Sequence, residues 1–470
     1  MANTVTIFFK AKNSYKDYPI GTTLFEMLHD LKPESTHQIV AAKVNNKTED
    51  LNFAVYKPKD IDFVDIKTSS GMRVYVRTLA LVLAKAINEL FPQANMRLEH
   101  PLSKGYFCTI KNLGRSLTAD DIEKIKAKMT AIVAQNLPIN KHEKQADEVI
   151  GYFREQNQMD KVLLLETLGR SYVEYYELDG FLDYYSGALL PSTGHINLFD
   201  TIPYYDGLLL RIPSRTNPLV LEEIIPQPKM YEIFNEFITW NGIMGIDNVG
   251  EFNLAGREKR AYELIKIAEA LHEKKIAGIA DQIINSPNKP RFVMISGPSS
   301  SGKTTFSKRL AIQLMVGGLK PLTLSLDNYF VDRPNTPVDE NGQLDYESLY
   351  ALDLDFFNQQ LQQLLNGEEV VVPSFNFETG KRQFKNKKLK LENDSILIME
   401  GIHALNCNLT PTISEQTKFK IYVSALTTIS LDNHNWIPTS DNRLLRRIIR
   451  DYKYRGYSAQ DTISRWASVR

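Results

Sequence analysis

Phe292-Val-Met-Ile-Ser-Gly297-Pro298-Ser299-Ser300-Ser301-Gly302-Lys303-Thr304-Thr305 places G-x-x-x-x-G-K-T between an apolar, β-prone run and a helix-forming run from Phe306 to Val316. Strand, glycine-rich turn and helix start form the context an anion-cradling loop needs. Gly297 and Gly302 let the backbone turn tightly and approach an anion. The N–H groups freed at the helix start point at phosphate, the helix dipole favours negative charge there, and Gly297 through Thr305 are expected to bind the nucleotide. Lys303 reaches the β- and γ-phosphates, and the Thr304 hydroxyl ligates Mg²⁺. The expected ligands are ATP and Mg²⁺. Two carboxylates and a basic helix follow. Asp327 stands after Pro321-Leu-Thr-Leu-Ser-Leu, and Glu400 ends the apolar run Ile396–Met399, where a magnesium ion is expected. In Asp441–Asp451, helical spacing puts Arg443, Arg447 and Arg450 on one side, and clustered guanidinium groups suit a lid over a transferring phosphoryl.

These residues need a frame. Phe292–Ser296, Pro321–Leu326, Ser395–Glu400 and Phe419–Val423 read as strands. Helices are expected at Leu354–Leu365 and Asn442–Tyr454. The alternation predicts an α/β fold, a parallel sheet with helices on both faces. Active residues should then lie just past the carboxyl ends of strands.

The set GxxSSGKT, Leu-Asp-x-Tyr-Phe, Met-Glu-Gly-Ile and D-x-R-L-x-R-R-I-x-R-D…R-G resembles the uridine kinase/phosphoribulokinase family. The resemblance implies that Asp327 is the general base acting on a sugar hydroxyl. Lys303, Arg447, Arg450 and Mg²⁺ would neutralise charge, with Glu400 and Thr304 at the metal. Asp345 would hold a ribose diol. Tyr329, Phe375, Phe377, Arg382 and Arg455 would line the acceptor side. The family's base-reading stretch, Pro-x-Tyr-x-Phe-x-x-His-x-Arg, here runs from Pro373 to Arg382, with Phe375 for Tyr and Gly380 for His. Tyr457 stands where the family has an arginine, and the segment from Asp345 to Asp353 is two residues longer than the family's. The donor side is therefore expected intact and the uridine-reading side altered. Phe375 and Phe377 can stack on a flat ring, which favours a nucleoside over the sugar phosphate of a phosphoribulokinase. The family continues past the point that corresponds to Arg470, so this region is expected to be truncated.

The front of the chain has its own organisation. Thr4–Lys10, Gln38–Asn45 and Ile61–Ile66 read as strands around a helix at Thr23–Leu31 capped by Thr22. Gly21-Thr-Thr-Leu-Phe-Glu-Met-Leu and Ala42-Lys-Val-Asn resemble a TGS domain, a ubiquitin-like (β-grasp) module, over residues 1–68. Residues 69–250 resemble the editing (second additional) domain of threonyl- and alanyl-tRNA synthetases, an α+β domain. In that family a His-x-x-x-His pair and a Cys-x-x-x-His pair form the hydrolytic site. Here those positions hold Arg77, Leu81, Tyr185 and Leu189, so the editing site is lost and apolar side chains are expected to fill it. His100, His142 and His195 have no metal-ligand spacing and read as packing or solvent histidines. Residues 251–287 are expected to be a connecting helix and linker, and 288–470 the kinase-like domain.

Composition sets the outer limits. In 470 residues, Lys+Arg and Asp+Glu number 56 each, which argues against a chain that mainly coats nucleic acid. Two cysteines cannot build a disulfide framework, which fits a reducing cytoplasm. No apolar run reaches bilayer length, so no membrane partner is expected. A small-molecule acceptor, RNA contact through the front half and a homo-oligomer are the expected partnerships.

Overall fold

Alternation over Thr4–Phe9 buries Val5, Ile7 and Phe9 on one face of β1. β2 (Ser14–Pro19), α1 (Leu24–Leu31), β3 (Ile39–Val44), β4 (Lys47–Glu49) and β5 (Lys59–Asp65) follow. The sheet order is β2-β1-β5-β3-β4, with β1 and β5 parallel at its centre. The cap of α1 is Thr23, one residue later than expected, because Glu26 three positions on closes a capping box with it. The computed structural model describes residues 4–340, 342–376 and 379–469.

Next comes α2 (Ser69–Leu90), which is apolar almost all round and nearly wholly buried. Around it lie β6 (Asn95–Leu102), β7 (Gly105–Lys111), α3 (Ala119–Ala134), β8 (Asn140–Gln145), α4 (Ala146–Glu155), α5 (Met159–Leu168), β9 (Tyr172–Leu178), β10 (Phe181–Asp183), β11 (Asp200–Tyr204) and β12 (Gly207–Arg211). The strands form two antiparallel sheets, β10-β9-β8 and β11-β12-β7-β6. One core joins α2 to Val40, Ala41, Val64 and Ile66 of the preceding sheet region. α6 (Pro228–Met244) and α7 (Val249–Arg257) close this stretch.

The chain divides into two units, and the division is not a single cut. The first unit comprises Met1–Arg260 together with Thr428–Ile437; the second comprises Ala261–Thr427 and Pro438–Arg470. The ten-residue strap Thr428–Ile437 docks by many contacts in the first unit. Asn433 O accepts from Leu98 N at 2.8 Å, and Ser430 O accepts from Val249 N at 2.9 Å. Leu431 packs on the α4–α5 core, and the Trp436 ring lies 4.6 Å from that of Tyr106. In sequence the strap falls inside residues 288–470, expected to be one continuous kinase-like domain.

In the second unit α8 (Ala261–Ile284) leads to β13 (Phe292–Ser296), α9 (Lys303–Val316), β14 (Lys320–Ser325), α10 (Leu354–Leu365), β15 (Glu369–Asn376), β16 (Lys381–Lys390), β17 (Ser395–Glu400), β18 (Lys418–Tyr422), α11 (Thr439–Arg455) and α12 (Ala459–Ser464). β14-β17-β13-β18 is a parallel sheet. Both its faces are covered, as its near-continuous apolar strands require. Met294, Leu397 and Met399 face α10, and Val293, Ile295, Ile396 and Ile398 face α9 and α8. α8, expected as a connector, contributes Ile276, Ala280 and Ile283 to that core. Ile279 and Ile283 continue the apolar stripe that the helix spacing gives this segment. β15 and β16 form a separate hairpin. Among the described residues no helix is long and apolar enough to cross a membrane.

Candidate active site

Parallel register aligns the carboxyl ends of three strands. Glu400 pairs with Ile295 of β13 and with Ser325 of β14. The loop after β13, Asp327 after β14 and Glu400 at the end of β17 therefore share one edge. The loop is tightly built. A Cβ on Gly297 would lie 2.0 Å from the Val423 carbonyl oxygen, and Gly302 caps α9 at φ +104°. Only glycine meets both demands.

Lys303 donates to the carbonyls of Gly297 (2.8 Å) and Pro298 (3.3 Å). Burial lowers its pKa, opposed by Glu400, Asp327 and Glu347. Ser301 N closes a turn onto Pro298 O, and Thr304 and Thr305 are exposed in the first turn of α9. Glu400 Oε1 accepts from Ser325 Oγ at 2.9 Å and from Thr304 Oγ1 at 3.3 Å. Burial raises its pKa, and Asp327 adds to the rise. Burial also raises Asp327, while Lys303, Arg455 and Arg450 pull it back.

α11 brings its arginines to the loop. Arg443 Nε donates to Ser299 O (3.2 Å), Arg446 Nε to Ser300 O (3.0 Å) and Arg447 Nη1 to Ser299 Oγ (3.0 Å). Asp451, 2% exposed, anchors the group. It pairs with Arg447 at 3.3 Å, Arg450 at 2.8 Å and Arg455 at 3.7 Å. Loop, lysine, carboxylates and guanidinium groups thus converge, an arrangement that can hold a polyphosphate and neutralise charge moving between oxygens.

Residues 292–470 match the model of the phosphoribulokinase/uridine kinase family. The N-terminal half is similar to threonine–tRNA ligases. The ligase of Symbiobacterium thermophilum is 31% identical over 41% of this chain and 30% of the ligase. Threonine–tRNA ligase 2 of Bacillus subtilis is 29% identical over 39% of this chain and 29% of its own. The chain thus spans under a third of the length of the ligases it matches. A possible uridine kinase from Bacillus stearothermophilus is 22% identical over 32% of this chain and 79% of that one, with a TM-score of 0.27, too slight to weigh.

The kinase family's acceptor side fits less well. Tyr329 is 1% exposed, and its hydroxyl donates to Gln360 Oε1 at 2.8 Å. It is a core residue and cannot line a ligand site. Arg382 is also committed elsewhere. It pairs with Asp353 at 2.9 Å and donates to the Phe330 carbonyl at 3.2 Å. Both corrections have one cause: a motif gives residue type but not which hydrogen bonds the fold imposes. Phe375 is half-buried against Phe330, with ring centroids 5.6 Å apart. Phe377 lies outside the described residues. Gly380 faces Arg333, whose Nε would be 2.6 Å from a Cβ there. Asp345 Oδ1 accepts from Glu347 N at 3.0 Å, and Asp345 acts on His403. Glu347, which acts on Lys303 and Arg447, His403 and Arg333 escaped the sequence reading. His403 stands three residues past Glu400, and that position after a strand end could have flagged it.

In the first unit, Leu81 and Leu189 are wholly buried and Tyr185 is 3% exposed. His100 stacks on Phe234 at 3.6 Å, His142 bonds to Glu177, and His195 bonds to Ser192.

Proposed function

We propose that residues 288–470 transfer a phosphoryl group from ATP to a sugar hydroxyl of a nucleoside or related small molecule. The observation that carries this reading is the meeting of Lys303, Asp327 and Glu400 at one sheet edge, with α11 arginines on the loop. Asp327 takes the hydroxyl proton and Lys303, Arg447 and Arg450 balance the phosphoryl charge. Lys303 exchanges its loop carbonyls for phosphate oxygens.

Magnesium suits the donors present: a threonine hydroxyl and a carboxylate, all oxygen. Thr304 and Glu400 would hold it, the remaining positions going to phosphate oxygens and water. When bound, the ion neutralises phosphate charge. A cation there would also favour the charged form of Glu400, against the burial that raises its pKa. Asp345, Phe375 and Arg455 remain the acceptor-side residues.

Residues 1–68 are read as a TGS-like β-grasp module, supported by the mixed sheet with β1 and β5 parallel. Residues 69–250 are read as an editing-like domain that binds or regulates without hydrolysing, RNA being the candidate partner.

The test is ATP consumption by the full chain across nucleosides and sugars, with Asp327→Asn alongside. Turnover on a nucleoside that Asp327→Asn abolishes is expected. Turnover on sugar phosphates alone would favour the phosphoribulokinase side of the family, and near-normal turnover by Asp327→Asn would overturn the base assignment.

A further inference from the structure

Arg73 and Arg77 stand four apart on α2, on one face of the helix. Arg77 is half-buried, yet among the described residues no group accepts a hydrogen bond from it and no carboxylate pairs with it. Arg73 donates one long bond, to Ser70 Oγ at 3.3 Å. The Arg77 guanidinium lies against Gly187 of the 184–190 loop. A Cβ placed on Gly187 would come within 2.6 Å of Nη1 and 2.8 Å of Cζ. The Tyr176 hydroxyl fixes that loop by donating to Gly187 O at 3.1 Å. Tyr106 forms a wall, backed by Trp436 and within the field of Arg73, Arg77 and the exposed Arg215.

Three like charges around Tyr106 with no carboxylate paired to them among the described residues destabilise a fold. A half-buried guanidinium with no acceptor adds a desolvation cost. Burial and Arg73 both act against its charge. Perturbed groups of this kind cluster at functional sites, where a ligand can supply the missing partner. Planar donor forks match phosphate and carboxylate oxygens.

We propose that Arg73, Arg77 and Arg215 form an oxyanion site, distinct from the phosphate loop, that binds the phosphate or carboxylate group of a small ligand against Tyr106. The site lies wholly within the first unit and does not depend on the kinase reading.

The test uses the full chain with a non-hydrolysable ATP analogue and Mg²⁺ saturating the phosphate loop. Inorganic phosphate and citrate are titrated by calorimetry and by thermal melting. Wild type should bind at least one of them, with the melting temperature rising about 3 °C at ten times Kd. Phosphate alone binding points to a phosphate ester, and citrate alone to a carboxylate ligand. Arg77→Gln and Arg73→Gln should each weaken binding about tenfold or more. Without anion, Arg77→Met should melt above wild type, because an uncompensated charge is gone. If Arg77→Gln fails to fold, Arg73→Gln gives the reading. Absent binding in wild type, or equal binding by the arginine variants (an adventitious ion only), overturns the site.

Discussion

Asp327 works as a base only when ionised, and its surroundings resist ionisation. Burial raises its pKa, and Lys303, Arg455 and Arg450 only partly compensate. The acid limb of kcat/KM should therefore lie above the ordinary aspartate value of about 4. Stability runs the other way. A carboxyl whose folded pKa is raised contributes fully below its unfolded pKa, and the contribution is lost as pH rises through the folded value. Asp327→Asn should cut turnover by about 10²–10⁴-fold and leave ATP binding intact. It should also raise the melting temperature near neutral pH, with the gain fading in acid. A pH-independent gain would show that the carboxyl is not held in the proposed environment. Tyr329 gives a complementary reading. Tyr329→Phe removes the bond to Gln360 and should cost about 1–3 kcal/mol of stability. The acceptor KM should not move, and a large KM change would return Tyr329 to the substrate site.

At the scale of elements, α11 was legible because its charges are periodic. Arginines at 443, 447 and 450 mark one face, and the loop before α9 carries its own spacing. What Asp451 does was not legible, since sequence does not say which acid is buried under three cations. Asp451→Asn should leave α11 helical by circular dichroism but lower turnover about tenfold or more, as its arginines lose their anchor. Unchanged turnover would make α11 a bystander. The strap was illegible for another reason. His434 bonds to Lys161 across 273 positions, and no local pattern encodes so distant a contact. Lys161, Asp183 and His434 meet in a buried group, with Asp183 at 3.1 Å from the lysine and 2.7 Å from the histidine. Burial alone would raise Asp183, but His434 and Lys161 hold it well below the usual range. Its stabilisation is present above the unfolded pKa and is lost as pH falls through the folded one. Asp183→Ala strands the buried Lys161 ammonium and removes the carboxylate that His434 bonds, and should cost about 3–5 kcal/mol near neutral pH in a denaturant titration. A cost below about 1 kcal/mol would mean the group is solvated.

For the molecule as a whole, the strap makes the boundary between the units discontinuous. A cut at Arg260/Ala261 looks natural in the chain, yet it leaves Thr428–Ile437 on the wrong fragment. In a 1–260 fragment, Asp183 and Lys161 lose His434, Tyr106 loses Trp436, and the backbone groups of Leu98 and Val249 lose their partners. These groups were built to be covered, so exposure removes both apolar burial and satisfied polar contacts. A loss of about 3–5 kcal/mol is expected from the charged group, which corresponds to a melting temperature about 10 °C below that of the same unit in the full chain. A synthetic peptide of Thr428–Ile437 should restore part of that loss in trans by mass action. The same peptide with His434→Ala should restore less, because it brings no partner to Asp183. If 1–260 melts where the intact chain's first unit melts, and the peptide leaves it unmoved, the strap is a passive loop and the first unit is complete without it.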